Sequence, residues 1–189
     1  MPLLLLKDLP RYECLIEAAR LFPDMDPSAF EVYLQLLRTG DEIFGIESSY
    51  LASKGISQGR FTVLMLLLEK AGASTCPSCA ASSNPADLAE KAGVTRATMT
   101  GLIDTLVKDG LVRREPAPND RRMMEVSLTA EGEALAAGIL PGYFRRVAAV
   151  MNRLTESDRR TLVQLFIKIQ RGLAEDLTDL QADTSPNSL

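Results

Sequence analysis

A mainly α fold carrying one short two-stranded β ribbon is what this sequence predicts, on three observations. Leu, Ala and charged residues dominate its 189 positions, Trp is absent, and 46% of residues are hydrophobic against 24% charged. That composition is globular and leans towards helices. Apolar stripes of helical period recur along most of the chain, several opened by a capping residue. Between Leu111 and Leu128 a short strand-like run, a turn with two prolines and an alternating return run, Met124–Leu128, interrupt the helical pattern. The length suits one substantial domain, or a small module with a second helical layer.

Residues 1–26 form a leader, in which Tyr12–Leu21 is an amphipathic piece able to make a short helix. Asp26-Pro27 then supplies an N-cap followed by proline at the first helical position. From there Phe30, Tyr33, Leu34, Leu37 and Phe44 recur at helical spacing on one long helix, assigned to residues 27–56 and ending near Gly55. Such a stripe needs a partner. A second copy of the chain is favoured over intramolecular packing, because helices of matching character occur at the other end. Ser57–Ala71, with Phe61 and Leu64-Met65-Leu66-Leu67-Leu68, is apolar nearly all round, as a central buried helix would be. Small and turn-forming residues from Ala73 to Ser83 make a loop.

Asn84-Pro85-Ala86-Asp87 restarts order with an N-cap, a proline at the first position and an acid at the third. This helix stops at Gly93, one residue before the next cap, Thr95. Two helices joined so tightly, with small Ala89 where their axes approach, predict a helix-turn-helix. On its second helix Met99, Leu102, Ile103, Leu106 and Val107 form the expected buried face. Ala97, Thr100, Gly101, Asp104 and Lys108 face the other way, and Gly110 ends the helix. Leu111–Arg114 is the outgoing strand, Pro116–Asp120 a turn and Met124–Leu128 the return strand. The ribbon is marginal alone and must lean on the helices as a wing. Residues 57–129 are therefore expected to be a winged helix-turn-helix domain.

Thr129 caps the next helix, with Glu131 and Glu133 in its dipole-favoured first turn, and a kink is expected at Pro141-Gly142. Thr155-Glu156-Ser157-Asp158 caps the last helix, where Leu162, Leu165, Phe166, Ile169, Leu173 and Leu177 repeat at three- and four-residue steps. Residues 130–180 are assigned to these C-terminal helices and 181–189 to a flexible tail.

The net charge of −4 is not that of a protein coating nucleic acid indiscriminately. Between Asn84 and Thr129, seven basic residues meet seven acids. Only the placement of the arginines can argue for DNA binding. No stretch approaches the ~20 apolar residues of a membrane span. Three cysteines without a secretion signal predict a reducing, cytoplasmic setting. The absence of histidine removes most zinc patterns and every Ser-His or Cys-His pairing, so an enzyme is not expected and no cofactor is implied.

The words Ala-Glu-Lys-Ala-Gly-Val-Thr-Arg-Ala-Thr-Met-Thr-Gly-Leu-Ile-Asp (residues 89–104) and Asp120-Arg121-Arg122-x5-Leu128-Thr129, set between long helices, resemble the MarR (multiple antibiotic resistance regulator) family of bacterial transcription factors. The likeness covers roughly residues 27–178, and the wing pattern is its most specific part. It implies a homodimer whose terminal helices interlock, making residues 27–56 and 130–180 dimerisation helices. It implies double-stranded DNA with a palindromic operator as partner, repression as the mode of regulation, and release by a small aromatic or phenolic effector.

Carried over residue by residue, the resemblance puts Thr95, Arg96, Ala97, Thr98, Thr100 and Gly101 on or beside the major-groove surface. Thr95 suits a phosphate at the helix N-terminus, and Arg96 could reach a guanine edge bidentately. In the wing, Asp120 would orient Arg122 into a narrow minor groove, with Asn119 and Arg121 assisting at the tip. Arg113 and Arg114 fit either DNA contact or a solvated strand face.

Two departures leave alternatives open. The reactive cysteine that the family's peroxide sensors carry at the start of the first long helix is absent from Phe30–Leu37; Cys14 lies upstream. Cys76-Pro77-Ser78-Cys79 is either a redox or metal switch, since paired thiolates can form a disulfide or ligate zinc, or a tolerated surface insertion. The neutral module would also suit a winged-helix domain that binds protein and no DNA.

Overall fold

The computed structural model describes residues 8–68, 84–116 and 124–183, the last ten of these by backbone alone. Their elements are α1 (Tyr12–Leu21), α2 (Pro27–Ser53), α3 (Gln58–Leu68), α4 (Pro85–Lys91), α5 (Arg96–Lys108), β1 (Val112–Pro116), β2 (Met124–Leu128), α6 (Ala130–Met151) and α7 (Glu156–Asp183). The mainly α fold with a two-stranded wing is what the sequence predicts. The chain divides into two compact units, Met1–Tyr143 and Phe144–Leu189.

In the first unit, Asp26 caps α2 by accepting from the backbone N–H of Ser28 at 2.8 Å and of Ala29 at 3.2 Å. Leu34, Tyr50 and Leu51 are buried, whereas Phe30, Val32, Tyr33, Phe44 and Ile46 remain exposed along α2. The continuous apolar character of α3 has its expected cause: Phe61, Val63, Leu64 and Leu67 are all buried, on more than one face of the helix. They join Leu88, Met99, Ile103, Leu106, Val112, Val126, Ala136 and Ile139 in one core. Burial of each large side chain there contributes about 1.5–3 kcal/mol before conformational entropy is subtracted.

The ribbon is antiparallel, with Val112 opposite Leu128, Arg114 opposite Val126 and Pro116 opposite Met124. The outgoing strand thus runs two residues beyond Arg114 and includes Pro116, which the sequence assigned to the turn. At the last described pair of a ribbon that has two strands among the described residues, proline's missing N–H removes little from the ladder. Val112, Val126 and Leu128 point into the core, so the ribbon leans on the helices as expected. Helix α6 runs unbroken past Pro141.

In the second unit, Thr155 caps α7 with a reciprocal arrangement. Its hydroxyl donates to Asp158 Oδ2 at 2.6 Å and accepts from the Asp158 N–H at 3.2 Å. The hydroxyl bond, with a second from the Thr155 N–H to Oδ2 at 2.9 Å, holds the exposed Asp158 carboxyl below the usual carboxylate range. Arg159 closes the turn before α7 by donating to the carbonyls of Met151 and Leu154, at 3.2 and 2.7 Å. Val163, Leu165, Phe166, Ile169 and Leu173 are exposed on α7.

Candidate nucleic-acid interface

Local chemistry at three points positions the helix-turn-helix. Asn84 accepts from the Ala86 N–H at 2.8 Å and starts α4. At the other end of α4, Gly93 takes φ +63°. That left-handed turn lets the Gly93 N–H reach Glu90 O and the Val94 N–H reach Ala89 O, both at 3.0 Å. Thr95 caps α5 immediately, its hydroxyl accepting from the Thr98 N–H at 3.1 Å and lying 2.9 Å from Thr98 Oγ1. One helix therefore ends and the next begins within four residues, with Ala89 buried where they meet.

On α5 the buried residues are Met99, Ile103 and Leu106, and Leu102 is half-buried. Val107, expected on the same face, is exposed. It falls at the edge of the stripe: 107 is one step beyond the 99–103–106 line, where the helix has already turned towards solvent. Thr95, Arg96, Ala97, Thr98, Thr100 and Gly101 are all exposed, so the six positions assigned to a major groove share an accessible surface. A Cβ at Gly101 would meet nothing within 4 Å. Thr100 turns its hydroxyl onto the Arg96 carbonyl at 2.9 Å, leaving its oxygen lone pairs free to accept. Among the described residues Arg96 has no ion-pair partner.

The wing residues Asn119, Asp120, Arg121 and Arg122 lie outside the described residues, as do Cys76 and Cys79. The strands leading to the tip are described, and they separate two arginines the sequence treated alike. Arg113 pairs with Glu115 at 3.2 Å on the outer face of β1. Arg114 points the other way, to Asp104 Oδ1 at 2.6 Å, with its second guanidinium nitrogen 3.5 Å from the Thr100 carbonyl. Strand alternation from buried Val112 could have identified this, since residue 114 shares its face.

A second ion pair, Arg60–Asp109, ties α3 to the C-terminal end of α5. Beside it, a Cβ on Gly59 would lie 3.2 Å from Leu102 Cδ2, so α3 and α5 approach closely there. Neither contact had a signal in the sequence, because both join residues more than forty positions apart. Among the described residues no group of three or more His, Cys, Asp or Glu could hold a metal ion, and no helix is long and apolar enough to cross a membrane.

Comparison with known proteins finds the sequence model of the MarR family matching residues 56–124. The HTH-type transcriptional repressor YetL of Bacillus subtilis is 32% identical over 173 residues, covering 92% of this chain and 96% of YetL. Among solved structures, a mutant MarR from Escherichia coli complexed with operator DNA aligns at a TM-score of 0.62, with 24% identity over 77% of this chain and 98% of its own. CouR from Rhodococcus jostii RHA1, bound to p-coumaroyl-CoA, aligns at 0.60, with 22% identity over 73% of this chain and 90% of its own. These structures share the fold.

Proposed function

The chain belongs to the MarR family of transcriptional regulators, and from that premise we propose that it is a homodimeric repressor that binds a palindromic operator and is released by a small aromatic or phenolic effector. The observation that carries the reading is the accessible α5 surface from Thr95 to Gly101, with Arg96 exposed at its leading end and without an ion-pair partner among the described residues. An arginine there suits the O6 and N7 edge of guanine, and the helix N-terminus suits a phosphate. Arg122, oriented by Asp120, enters the minor groove, with Asn119 and Arg121 beside it.

Dimerisation through residues 27–56 and 130–180 is supported by the apolar side chains each of these segments exposes. Phe30, Val32, Tyr33 and Phe44 are exposed on α2, and Val163, Leu165, Phe166 and Ile169 on α7, and large exposed apolar side chains grouped on a helix suit a protein interface. Repression is supported by the likeness to YetL, and a phenolic effector by the p-coumaroyl-CoA bound to CouR.

Selection of duplexes from random DNA by the wild-type protein tests the reading. Enriched fragments should carry two half-sites about one helical turn, roughly 10 bp, apart. Arg122→Ala should bind them more weakly at unchanged melting temperature, and phenolic acids or their thioesters should release the wild type. Recovery of no enriched duplex at low salt overturns DNA recognition. Unchanged affinity in Arg122→Ala overturns the minor-groove role alone.

A further inference from the structure

We infer that Arg114 is a positioning residue for DNA recognition: it fixes the recognition helix α5 against the wing through Asp104 and the Thr100 carbonyl, and makes no phosphate contact of its own. This rests on the reading of α5 as the major-groove helix. Three observations carry it. Strand alternation turns Arg114 to the Val112 face of β1, towards α5, while Arg113 and Glu115 pair on the opposite face. The guanidinium then spans one turn of α5, with one nitrogen on Asp104 and the other near the carbonyl of Thr100. A planar fork contacting two points on one helix constrains orientation as a single point charge would not. Finally, Asp104 stands on the exposed face of α5, 56% accessible at its side chain, on the same helix as the proposed groove-reading residues. A bare carboxylate there would repel phosphates. Paired with Arg114, it becomes the anchor for the strand that leads to Arg122.

The pair thus couples the two DNA-reading elements. It sets the angle between the helix that reads bases and strand β1, the stem of the ribbon. An arginine in the wing stem and an acid in the recognition helix would ordinarily be scored as one residue helping DNA affinity and one opposing it. The geometry assigns both to the same task.

The test uses the full chain, a duplex enriched by the wild type from random DNA, and a scrambled duplex of equal length. Affinities are measured across a salt series for Arg114→Ala, Asp104→Ala, the double variant and Arg114→Lys, with melting temperatures alongside. Each single alanine variant should weaken binding to the enriched duplex about fivefold, the scale of a partly exposed ion pair. Binding to the scrambled duplex should hardly change. The double variant should be no worse than either single one, and the salt slope should stay that of the wild type in all of them. Arg114→Lys, which keeps the charge and loses the fork, should fall between. The decisive expectation is that removing the acid Asp104 weakens recognition.

The inference is overturned if Asp104→Ala binds as tightly as the wild type or tighter. It also falls if Arg114→Ala alone loses affinity for both duplexes with a salt slope shallower by about 0.9, the mark of one lost phosphate contact. Equal losses on both duplexes that track a lowered melting temperature would reduce the pair to a purely structural role and overturn it as well. A wild type that binds neither duplex at low salt instead brings down the DNA-reader reading on which all of this stands.

Discussion

Gly142 lies directly against the phenol of Tyr50: a Cβ at position 142 would overlap the Tyr50 hydroxyl and come within 2.7 Å of Cζ. The same hydroxyl donates to the Ile139 carbonyl at 2.8 Å in a buried hydrogen bond. Helices α2 and α6 are therefore joined at a point where only a hydrogen side chain fits. A glycine just past the middle of a helix, which weakens the helix by itself, is explained by what it must accommodate.

Gly142→Ala should destabilise the protein by about 1–3 kcal/mol in urea unfolding, because the ring is buried and cannot swing clear. Tyr50→Phe alone should lose about 1 kcal/mol with its hydrogen bond. In the double variant the phenolic oxygen is gone, so part of the alanine clash is relieved. Its loss should be smaller than the sum of the two single losses. Strict additivity would show that the contact does not limit position 142.

Tyr143, the next residue, donates its hydroxyl to Glu47 Oε1 at 3.3 Å and packs its ring against Phe61, centroids 5.4 Å apart. Burial first, then the neighbouring Glu47 charge and this hydrogen bond, push the phenol above its ordinary value of 10.0. The fold thus favours the neutral phenol. The stability it confers is complete below pH 10.0 and is lost as pH rises through the higher folded value. Subtracting the alkaline absorbance titration of Tyr143→Phe from that of the wild type should reveal a group ionising above 10.0. Glu47→Gln should move it down only part of the way, since burial remains. A group already ionising at the ordinary value in the wild type would contradict the packed, paired phenol.

Local signals made much of this architecture legible. The bounds of α1 and β2 and the caps at Asp26, Asn84, Thr95 and Thr155 follow from residues within a few positions of one another. The exposed face of α5 with Ala97, Thr100 and Gly101 was legible for the same reason, since helix period alone separates it from Met99 and Ile103. Contacts between distant segments were not. Nothing near Gly142 in sequence announces Tyr50, and nothing near Asp109 announces Arg60. Arg114 is an intermediate case: the strand period could have given its face, but only the packing of β1 on α5 reveals that an α5 carboxylate waits there. Val107 shows the limit of periodicity, which sets the centre of a buried stripe more reliably than its edge.

Thr129 is the joint between ribbon and helix α6, and its hydroxyl serves both sides. It donates to the Gly110 carbonyl at 2.7 Å and accepts from the Gly132 N–H at 3.1 Å, while the Thr129 N–H reaches Leu111 O at 3.1 Å. Gly110, at φ +71°, ends α5, so one side chain ties the end of α5 to the start of α6. Thr129→Ala removes a helix cap and leaves the Gly110 carbonyl without this donor, and should destabilise by about 1–2 kcal/mol. Thr129→Ser keeps the hydroxyl and should lie much closer to the wild type. Gly132→Ala should be worse than either, because its Cβ would run into the backbone carbonyl of Leu111, which no rotamer change can move aside. Urea midpoints ranked wild type, Thr129→Ser, Thr129→Ala, Gly132→Ala in falling order would match this account. A Thr129→Ala midpoint equal to that of Thr129→Ser would mean that the methyl, and not the hydroxyl, holds the joint.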